Sequence, residues 1–446
     1  MRVQLLGTGS ADGWPSPWCG CASCAWARVT PGAWRGQTST LVDEVLLVDL
    51  GGARRPPAPL ERVRTVLLTH AHPDHTDPQL LLWRQWSSAL GPLEIAGPPA
   101  ALALCRPWVR PDDDVAWVEL RAGDEVTLAS GHPVRALPAR HADADVGPAL
   151  LYDISPADIS PAAISPADIG PDPGAPDGDL LVAWDTAPPL PDTGAARFAV
   201  VLLECTHGDT PGDGDHHDLA DFAHSVAELR RRGAVTTATT VVAVHLSHRN
   251  PPGAELHRRL GLLGAVALPD GAVVAGRPVR VPARRVLITG GARSGKSAEA
   301  ERRLAAEPEV TYVATAPGYE GDEAWAARLA LHRARRPTHW RTIETRDLAP
   351  LLADPAAVLL IDCVTLWLTA QLAEPDLTER VDALVEAWRT TPAQVVMVTN
   401  EVGSGVHPPT ALGRRFADLL GRLNARLAAE ADEVWLVVAG TPTRLR

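Results

Sequence analysis

The stretch GGARSGKS, residues 290–297, fits the spacing G-x-x-x-x-G-K-[ST] and contains Lys296, the only lysine in the chain. It follows the apolar run RVLITG and precedes a segment with helical periodicity, which is the context that this spacing requires. The chain has 42 lysine and arginine residues in all, so every other basic residue is arginine. Because either residue serves on a solvated surface, a lysine that persists here indicates a site that needs a compact ammonium group.

A glycine-rich loop at the start of a helix lets backbone N–H groups and the helix dipole face phosphate oxygens. We therefore predict a nucleotide-phosphate loop formed by Gly290, Gly291, Ala292, Arg293, Ser294, Gly295, Lys296 and Ser297. The hydroxyl of Ser297 is expected to bind Mg²⁺. Asp362, which closes the apolar run AVLLIDC, is the candidate for a second Mg²⁺ partner, and a cap at the end of a strand is its alternative role.

The organisation of the chain predicts two domains, because 446 residues exceed one ordinary domain. From residue 285 to 446, strand-like runs alternate with helical patterns, including helices at 323–335 and 409–430, which predicts a parallel sheet with helices on both faces. Residues 1–280 form a strand-rich α/β region. The stretch AGRPVRVPAR, 275–284, is interpreted as the linker, and the proline-rich repeat at 153–179 as a disordered insertion without chemistry.

Composition excludes several classes of protein. The net charge is −12 and no basic arm is visible, so binding to nucleic acid is not expected. No apolar run approaches the roughly 20 residues of a membrane span. The N-terminal stretch lacks the apolar core of a secretion signal, which predicts a cytoplasmic protein.

A cluster of histidines follows the apolar run VRTVLL. The stretch THAHPDHTD, 69–77, supplies His70, His72, Asp74 and His75. Neutral imidazoles and a carboxylate this close together on one loop can surround two metal ions. Three cysteines also crowd into CGCASC, and in a cytoplasmic chain such a cluster indicates metal rather than a disulfide, with buried free thiols as the alternative.

The histidine pattern resembles the metallo-β-lactamase superfamily, which implies an αββα sandwich. His141 in ARHAD, Asp185 in AWDTA and His245 in VAVHLSH match the further ligands of that fold. The resemblance implies that His70, His72 and His141 hold one metal, that Asp74, His75 and His245 hold the other, and that Asp185 bridges them. Asp49 in LLVDLGG matches another familiar position, interpreted as structural support.

Within that superfamily, GTGSADGWPSPWCGCASC and HLSH are more specifically similar to the phosphodiesterases of phosphonate breakdown. That resemblance implies two catalytic Zn²⁺ or Mn²⁺ ions and one structural Zn²⁺ held by Cys19, Cys21, Cys24 and His248. His216 in DHHDLA matches an active-site histidine that protonates the departing oxygen, and His217 is its competitor. The phosphoester substrate stays open.

The C-terminal region resembles the bifunctional adenosylcobinamide kinase / adenosylcobinamide-phosphate guanylyltransferases of cobalamin biosynthesis. YVATA, LHRARRPTHWRTIE, LLIDCVTLWLT and TNEVGSG carry the resemblance. It implies GTP or ATP and adenosylcobinamide as substrates, a homo-oligomer, and nucleotide contacts from Ala314, Thr315, Ala316 and Glu344. It also implies that His332 becomes covalently guanylylated, which would split GMP transfer into two displacements.

The residues leave alternatives open. His332 is also compatible with a solvated helical histidine, and Glu344 with an exposed acid. The N-terminal half could be a metal-binding scaffold without activity or an RNA-processing nuclease. The C-terminal half could be a nucleotide-binding regulatory module without turnover.

Overall fold

The computed structural model describes residues 1–51, 59–87, 91–143, 147–157, 178–212, 214–275, 284–316, 330, 333, 336–405 and 408–446. The chain divides into two compact units, Met1–Val279 and Arg280–Arg446. Most of the proline-rich segment and of the linker lie outside the described residues, as do His332 and nearly all of the helix predicted at 323–335. Within the described part of the chain, no helix is both long and apolar enough to cross a membrane.

The N-terminal unit contains two sheets with seven described strands each. The first sheet consists of β1 (Val3–Gly7), β2 (Ser39–Val42), β3 (Leu46–Val48), β4 (Thr65–Leu67), β5 (Leu93–Gly97), β6 (Val115–Glu119) and, at its other edge beside β1, β14 (Val273–Val274). The second consists of β7 (Glu125–Thr127), β8 (Pro133–Asp143), β9 (Gly147–Ile154), β10 (Asp179–Ala183), β11 (Phe198–Glu204), β12 (Thr240–Val244) and β13 (Ala265–Val266). The helices are α1 (Ala22–Val29), α2 (Gln79–Arg84), α3 (Pro99–Cys105), α4 (Leu219–Arg231) and α5 (Ala254–Leu262).

The two sheets pack face to face because alternate side chains of each strand point into a shared core. Leu5 of β1 packs there with Val242 of β12. Leu6 points to the opposite face of β1, where it packs with Leu81 of α2 and Leu102 of α3. On the second sheet, α5 lies against β13. The predicted αββα sandwich is confirmed.

The second sheet changes from antiparallel to parallel at β10, and this change positions the site. β9 pairs antiparallel with β10, with Ile154 opposite Leu180. β10, β11 and β12 are parallel, with Ala183 opposite Leu203 and Glu204 opposite Val244. The carboxyl ends of these three strands therefore lie together at one edge of the sandwich.

The C-terminal unit contains one sheet of seven described strands, in the order β17-β16-β18-β19-β15-β20-β21. The strands are β15 (Arg285–Gly290), β16 (Thr311–Ala314), β17 (Arg341–Glu344), β18 (Val358–Asp362), β19 (Gln394–Val398), β20 (Glu433–Val438) and β21 (Thr441–Arg444). The helices are α6 (Lys296–Leu304), α7 (Ala349–Leu352), α8 (Val364–Gln371), α9 (Leu377–Thr390) and α10 (Ala411–Glu430). All neighbouring strands are parallel except β20 and β21.

Helices cover both faces of this sheet. Val286 and Ile288 of β15 pack with Leu304 of α6, and Leu287 packs on the opposite face with Leu427 of α10. The predicted parallel sheet with two covered faces is confirmed. The sequence analysis missed β17 and β21, because both are largely exposed edge strands whose sequences, RTIE and TPTR, have little apolar periodicity.

Candidate metal centres and phosphate site

The structure brings all seven predicted ligands of the dinuclear centre to the strand-end edge of the sandwich. Their positions are His70, His72, Asp74 and His75 in the loop after β4, His141 within β8, Asp185 two residues after β10 and His245 directly after β12. Only His72 among them is partly accessible. The loop and three separate strands therefore converge on one buried point.

The potential ligand atoms fall into two adjoining groups. On one side, His72 Nδ1 lies 2.9 Å from His70 Nε2 and 3.1 Å from His141 Nε2. On the other side, His75 Nε2 lies 3.0 Å from Asp74 Oδ2 and 2.8 Å from Asp185 Oδ2. The two groups adjoin, because His70 also lies together with His75 and Asp185. The division into two metal sites and the roles of these residues as ligands stay predictions.

The second group is continued by His245, whose Nε2 lies 3.4 Å from Asp185 Oδ1. Three buried atoms that face this centre, His75 Nε2, His245 Nε2 and Asp185 Oδ2, have no hydrogen-bond partner of good geometry among the described residues. Unsatisfied buried polar atoms are costly, and a metal ion is the partner that imidazole nitrogens and a carboxylate share. The residues present therefore fit a metal centre.

The electrostatics of the cluster also suit a cation. Burial lowers the pKa of His70 and of His141, which favours the neutral imidazole that binds metal. Burial opposes protonation of His75 as well, but the carboxylates of Asp185 and Asp74 raise its pKa above the ordinary value. These carboxylates draw positive charge into the centre, and a metal ion could supply it in place of the proton.

Asp49 supports the centre from behind. Its carboxylate accepts hydrogen bonds from the Thr69 backbone amide at 2.8 Å, the Thr69 hydroxyl at 2.7 Å, His75 Nδ1 at 2.7 Å and Trp184 Nε1 at 2.8 Å. The bond to Nδ1 turns His75 Nε2 toward the metal centre. Asp49, Asp185 and His245 all have positive φ, a strained conformation for residues other than glycine that clusters at functional sites.

His216 and His217 occupy different environments. The ring of His216 stacks on His245 with centroids 5.3 Å apart, and its Nδ1 lies 2.9 Å from Glu204 Oε2. His217 is fully buried and binds the Thr186 carbonyl and the Ser225 hydroxyl. His216 therefore faces the metal centre, whereas His217 holds loop and helix together.

Three residues beside the centre were missed by the sequence analysis. They are Glu204 at the end of β11, Thr206, and His207, whose ring lies 5.7 Å from that of His216. His245 Nδ1 lies 2.9 Å from Thr206 Oγ1, which in turn donates to Glu204 Oε2 at 2.6 Å. The signal available in the sequence concerned only Glu204, the acid that ends the apolar run FAVVLLE. This run lies between the strands that precede the predicted ligands Asp185 and His245.

The cysteine cluster meets His248 at the surface. His248 Nδ1 lies 3.5 Å from Cys19 Sγ and 3.6 Å from Cys21 Sγ, and Cys24 completes the group. The Cys21 thiol caps α1, because its Sγ accepts from the Cys24 amide, and this bond lowers the pKa of Cys21 to about 6. Burial raises the pKa of Cys24 to about 11, so its thiol needs a cation in order to deprotonate at neutral pH. Three thiolates and one imidazole fit a closed tetrahedral zinc site.

The phosphate loop joins β15 to α6. Gly290 ends the strand at a point where a Cβ would lie 2.4 Å from the Val437 carbonyl, so only glycine fits. Gly295 precedes the helix with φ +94°, and the Lys296 ammonium reaches back to the Gly291 carbonyl at 3.1 Å. Gly291, Ala292 and Arg293 are exposed, while Ser294 is buried and Ser297 half-buried. The loop has the strand-to-helix geometry that binds phosphate.

Other predicted nucleotide residues lie at the same carboxyl edge of the sheet. Ala314 is in register with Glu344 on one side and with Asp362 on the other. The Tyr312 hydroxyl donates to Asp362 Oδ2 at 2.9 Å. Thr315 is buried and exchanges hydrogen bonds with the Cys363 backbone, and Ala316 follows it. His332 is outside the described residues; its neighbour Arg333 lies 3.6 Å from Glu344 in an exposed ion pair.

Comparison with known proteins matches each unit separately. A family model described as cobinamide kinase / cobinamide phosphate guanyltransferase matches residues 286–445, and one described as a beta-lactamase superfamily domain matches residues 42–154. The bifunctional adenosylcobalamin biosynthesis protein CobU of Salmonella typhimurium is 41% identical over 186 residues, which cover 36% of this chain and 99% of that protein.

Among solved structures, zinc-bound PqqB from Methylobacterium extorquens aligns with a TM-score of 0.47 at 19% identity, over 61% of this chain and 99% of that one. A diphosphatase from the PhnP family aligns with a TM-score of 0.45 at 18% identity, over 62% of this chain and 97% of that one.

The molecule thus joins a metallo-β-lactamase-fold domain to a domain built on a phosphate-binding loop. Through its C-terminal unit, the chain belongs to the cobinamide kinase / cobinamide phosphate guanyltransferase family.

Proposed function

We propose that the C-terminal unit phosphorylates adenosylcobinamide and then transfers GMP from GTP to the product, in the biosynthesis of cobalamin. The observation that carries this proposal is the family match over residues 286–445, which contains the phosphate loop and its single lysine. The exposed loop backbone would bind the phosphates, and the Lys296 ammonium would reach the terminal ones. Ser297 and Asp362 would hold Mg²⁺, which when bound neutralises charge on the phosphates.

For the second reaction, His332 is the proposed nucleophile. Its imidazole nitrogen attacks the α-phosphorus of GTP, a P–N bond forms, and the bond to pyrophosphate breaks with the electron pair leaving on pyrophosphate. A phosphate oxygen of adenosylcobinamide phosphate then attacks the same phosphorus, and the P–N bond breaks to return the imidazole. The homo-oligomer stays a prediction, which sedimentation velocity would check.

The transferase is tested with GTP labelled at the α-phosphate. Label should remain on the denatured full-length protein and be lost in His332→Ala, whereas His339→Ala, a nearby exposed histidine, should keep it. A wild-type protein that never acquires label contradicts the proposal. For the kinase, Lys296→Arg should lower turnover severely with the fold intact, because a planar fork does not replace a point charge in the loop.

We further propose that the N-terminal unit is a phosphoester hydrolase with two catalytic Zn²⁺ or Mn²⁺ ions and one structural Zn²⁺. The observation that carries this proposal is the convergence of seven potential ligands in two adjoining groups beside His216. Bound metal ions would supply Lewis acidity toward a phosphoryl oxygen and lower the pKa of water. Because the Glu204 carboxylate accepts the hydrogen bond from His216 Nδ1, the other ring nitrogen, Nε2, is the one from which His216 would donate a proton to the departing oxygen.

The hydrolase is tested on the full chain loaded with Mn²⁺ or Zn²⁺, using bis(p-nitrophenyl) phosphate and p-nitrophenyl phosphate. Loss of a general acid lowers the rate about 10²- to 10⁴-fold, so His216→Asn should show this loss with unchanged metal content. The matched control is His217→Asn, which should lower Tm and keep activity below its Tm. A metal-loaded wild type that cleaves neither compound contradicts the proposal.

A further inference from the structure

Arg249 directly follows His248 of the cysteine cluster, and its side chain is exposed. Its guanidinium donates a hydrogen bond to His207 Nδ1. Among the described residues, no carboxylate forms an ion pair with it. Nearby Arg258 and Arg259 differ, because both pair with Glu255, at 2.8 Å and 2.7 Å. Arg249 is therefore a cation whose charge is not matched by an adjacent acid in the described part of the chain.

His207 connects this cation to the centre. It is buried, and its ring lies edge-on to that of His216 with centroids 5.7 Å apart. The ring of His216 in turn lies 5.1 Å from that of His141. Because a guanidinium can only donate, His207 Nδ1 accepts this hydrogen bond. Through His207, the exposed Arg249 guanidinium thus offers hydrogen-bond donors close to His216, the proposed general acid.

The two segments that carry this pair are fixed to each other. A Cβ on Gly208, which has φ +57°, would lie 2.3 Å from the Arg249 carbonyl. Asn250 Nδ2 donates to the Cys205 carbonyl at 2.8 Å, and Ser247 Oγ donates to the Thr206 carbonyl. The backbone beneath Arg249 is therefore held in place, and the guanidinium is presented from a rigid position.

We propose that Arg249, held in place by His207, forms an anion subsite that binds a second phosphate group of the substrate, next to the phosphate that is cleaved. A planar guanidinium matches two phosphate oxygens at once, and one that forms no ion pair within the described part of the chain gains most from a phosphate. Diphosphate-type esters are therefore the preferred substrate class. This inference rests on the proposed hydrolase, whose own test is the cleavage of simple esters.

Binding is measured by calorimetry on the full chain, with the same free Mn²⁺ in cell and syringe. The probes are methylenediphosphonate, which cannot be hydrolysed, and methylphosphonate. A Lys296→Ala background keeps the phosphate loop from contributing. A hydrogen bond to a charged group corresponds to about 10- to 100-fold in affinity, so the parent should prefer the diphosphonate and Arg249→Ala should lose about that factor.

Methylphosphonate affinity, metal content and Tm should stay unchanged in Arg249→Ala, and Arg249→Lys should keep part of the preference. The matched control is Arg197→Ala, an exposed arginine at the opposite end of β11, which should behave as the parent. A parent without preference, or an Arg249→Ala protein that keeps it, overturns the inference. If Arg249→Ala loses metal, Arg249→Gln is compared with the parent at the same metal content. Loss of the preference for the diphosphonate in that variant supports the inference, and retention of the preference overturns it. Failure of the hydrolase appears separately, as no cleavage of either bis(p-nitrophenyl) phosphate or p-nitrophenyl phosphate by the metal-loaded wild type.

Discussion

The two candidate metal sites of the N-terminal unit are built in opposite ways. The dinuclear centre takes its predicted ligands from one loop and three strands, and most of these residues are fully buried. The cysteine site takes three of its four predicted ligands from six consecutive residues, and Cys21 is exposed. Only His248 comes from elsewhere, 227 positions after Cys21.

The difference concerns what holds the ligands before a metal binds. Around the dinuclear centre, protein groups orient the imidazoles: Asp49 binds His75, and Thr206 binds His245. At the cysteine site, the described hydrogen bonds made by the predicted ligands run mostly from one of these residues to another, and not to supporting protein groups. We therefore expect the dinuclear centre to be preorganised and the cysteine site to be completed by its metal.

The largest effect is expected for Asp185→Asn. It removes a carboxylate that faces both His75 and His245, so the centre loses the anion that would bridge two cations. Metal affinity should fall by more than the roughly 10- to 100-fold that loss of an outer partner costs, and hydrolysis should disappear. Metal counting after dialysis checks this, with one zinc per chain retained at the cysteine site. Retention of three metals would show that Asp185 is not a ligand.

Next in size is Cys21→Ser, which should release one zinc per chain and leave the dinuclear centre loaded. Stability should fall, because structural metal binding is coupled to folding; each kcal/mol corresponds to roughly 2–4 °C in Tm. The control is Cys105→Ser, a buried thiol outside the cluster whose pKa burial raises to about 12. It should lose packing but no zinc. Full zinc content in Cys21→Ser would show that the cysteine cluster is not a zinc site, and the comparison of two metal sites would no longer apply.

A smaller effect is expected for Asp49→Asn, which keeps the shape but cannot accept all four hydrogen bonds. Affinity at the dinuclear centre should fall roughly 10- to 100-fold, measured by competition with a chromogenic chelator. Asp43→Asn is the control, because Asp43 also accepts from a buried histidine, His132, at 3.1 Å, but away from the centre. Equal metal affinities of the two variants would argue against preorganisation by Asp49.

The smallest effect is expected for Thr206→Val, which interrupts the hydrogen bonds from His245 through Thr206 to Glu204. Because His245 keeps its ligand nitrogen, affinity should fall by less than about tenfold, near the worth of one hydrogen bond. Thr206→Ser keeps the hydroxyl and should match the wild type. A change in the serine variant as large as in the valine variant would point to packing instead.

Sequence reasoning predicted the fold, which is confirmed, and it picked out the residues that cluster in the structure, because metal-binding residue types at fixed short spacing are rare. Their roles as ligands stay predictions. The spacing of His70 to His75 and of Cys19 to Cys24 is local and visible in the chain. Glu204 was marked only as an acid that ends an apolar run, and nothing in CTHGD marks Thr206 or His207 before the register of β10, β11 and β12 is known. Likewise, Arg249 is one of many arginines until its contact with His207 is seen.

The pairing of Ile154 with Leu180 determines where insertions and deletions in the chain can be tolerated. The connection between β9 and β10 leaves and re-enters the sheet at neighbouring positions, at the end of β10 remote from Asp185. Residues can be added or removed there without shifting the register of the strands that carry the ligands. Each doubling of such a connection costs only about 0.6 kcal/mol of closure entropy. Homologues with this connection shortened to a tight hairpin should therefore keep the same centre, and a deletion series between 158 and 177 would retain metal stoichiometry.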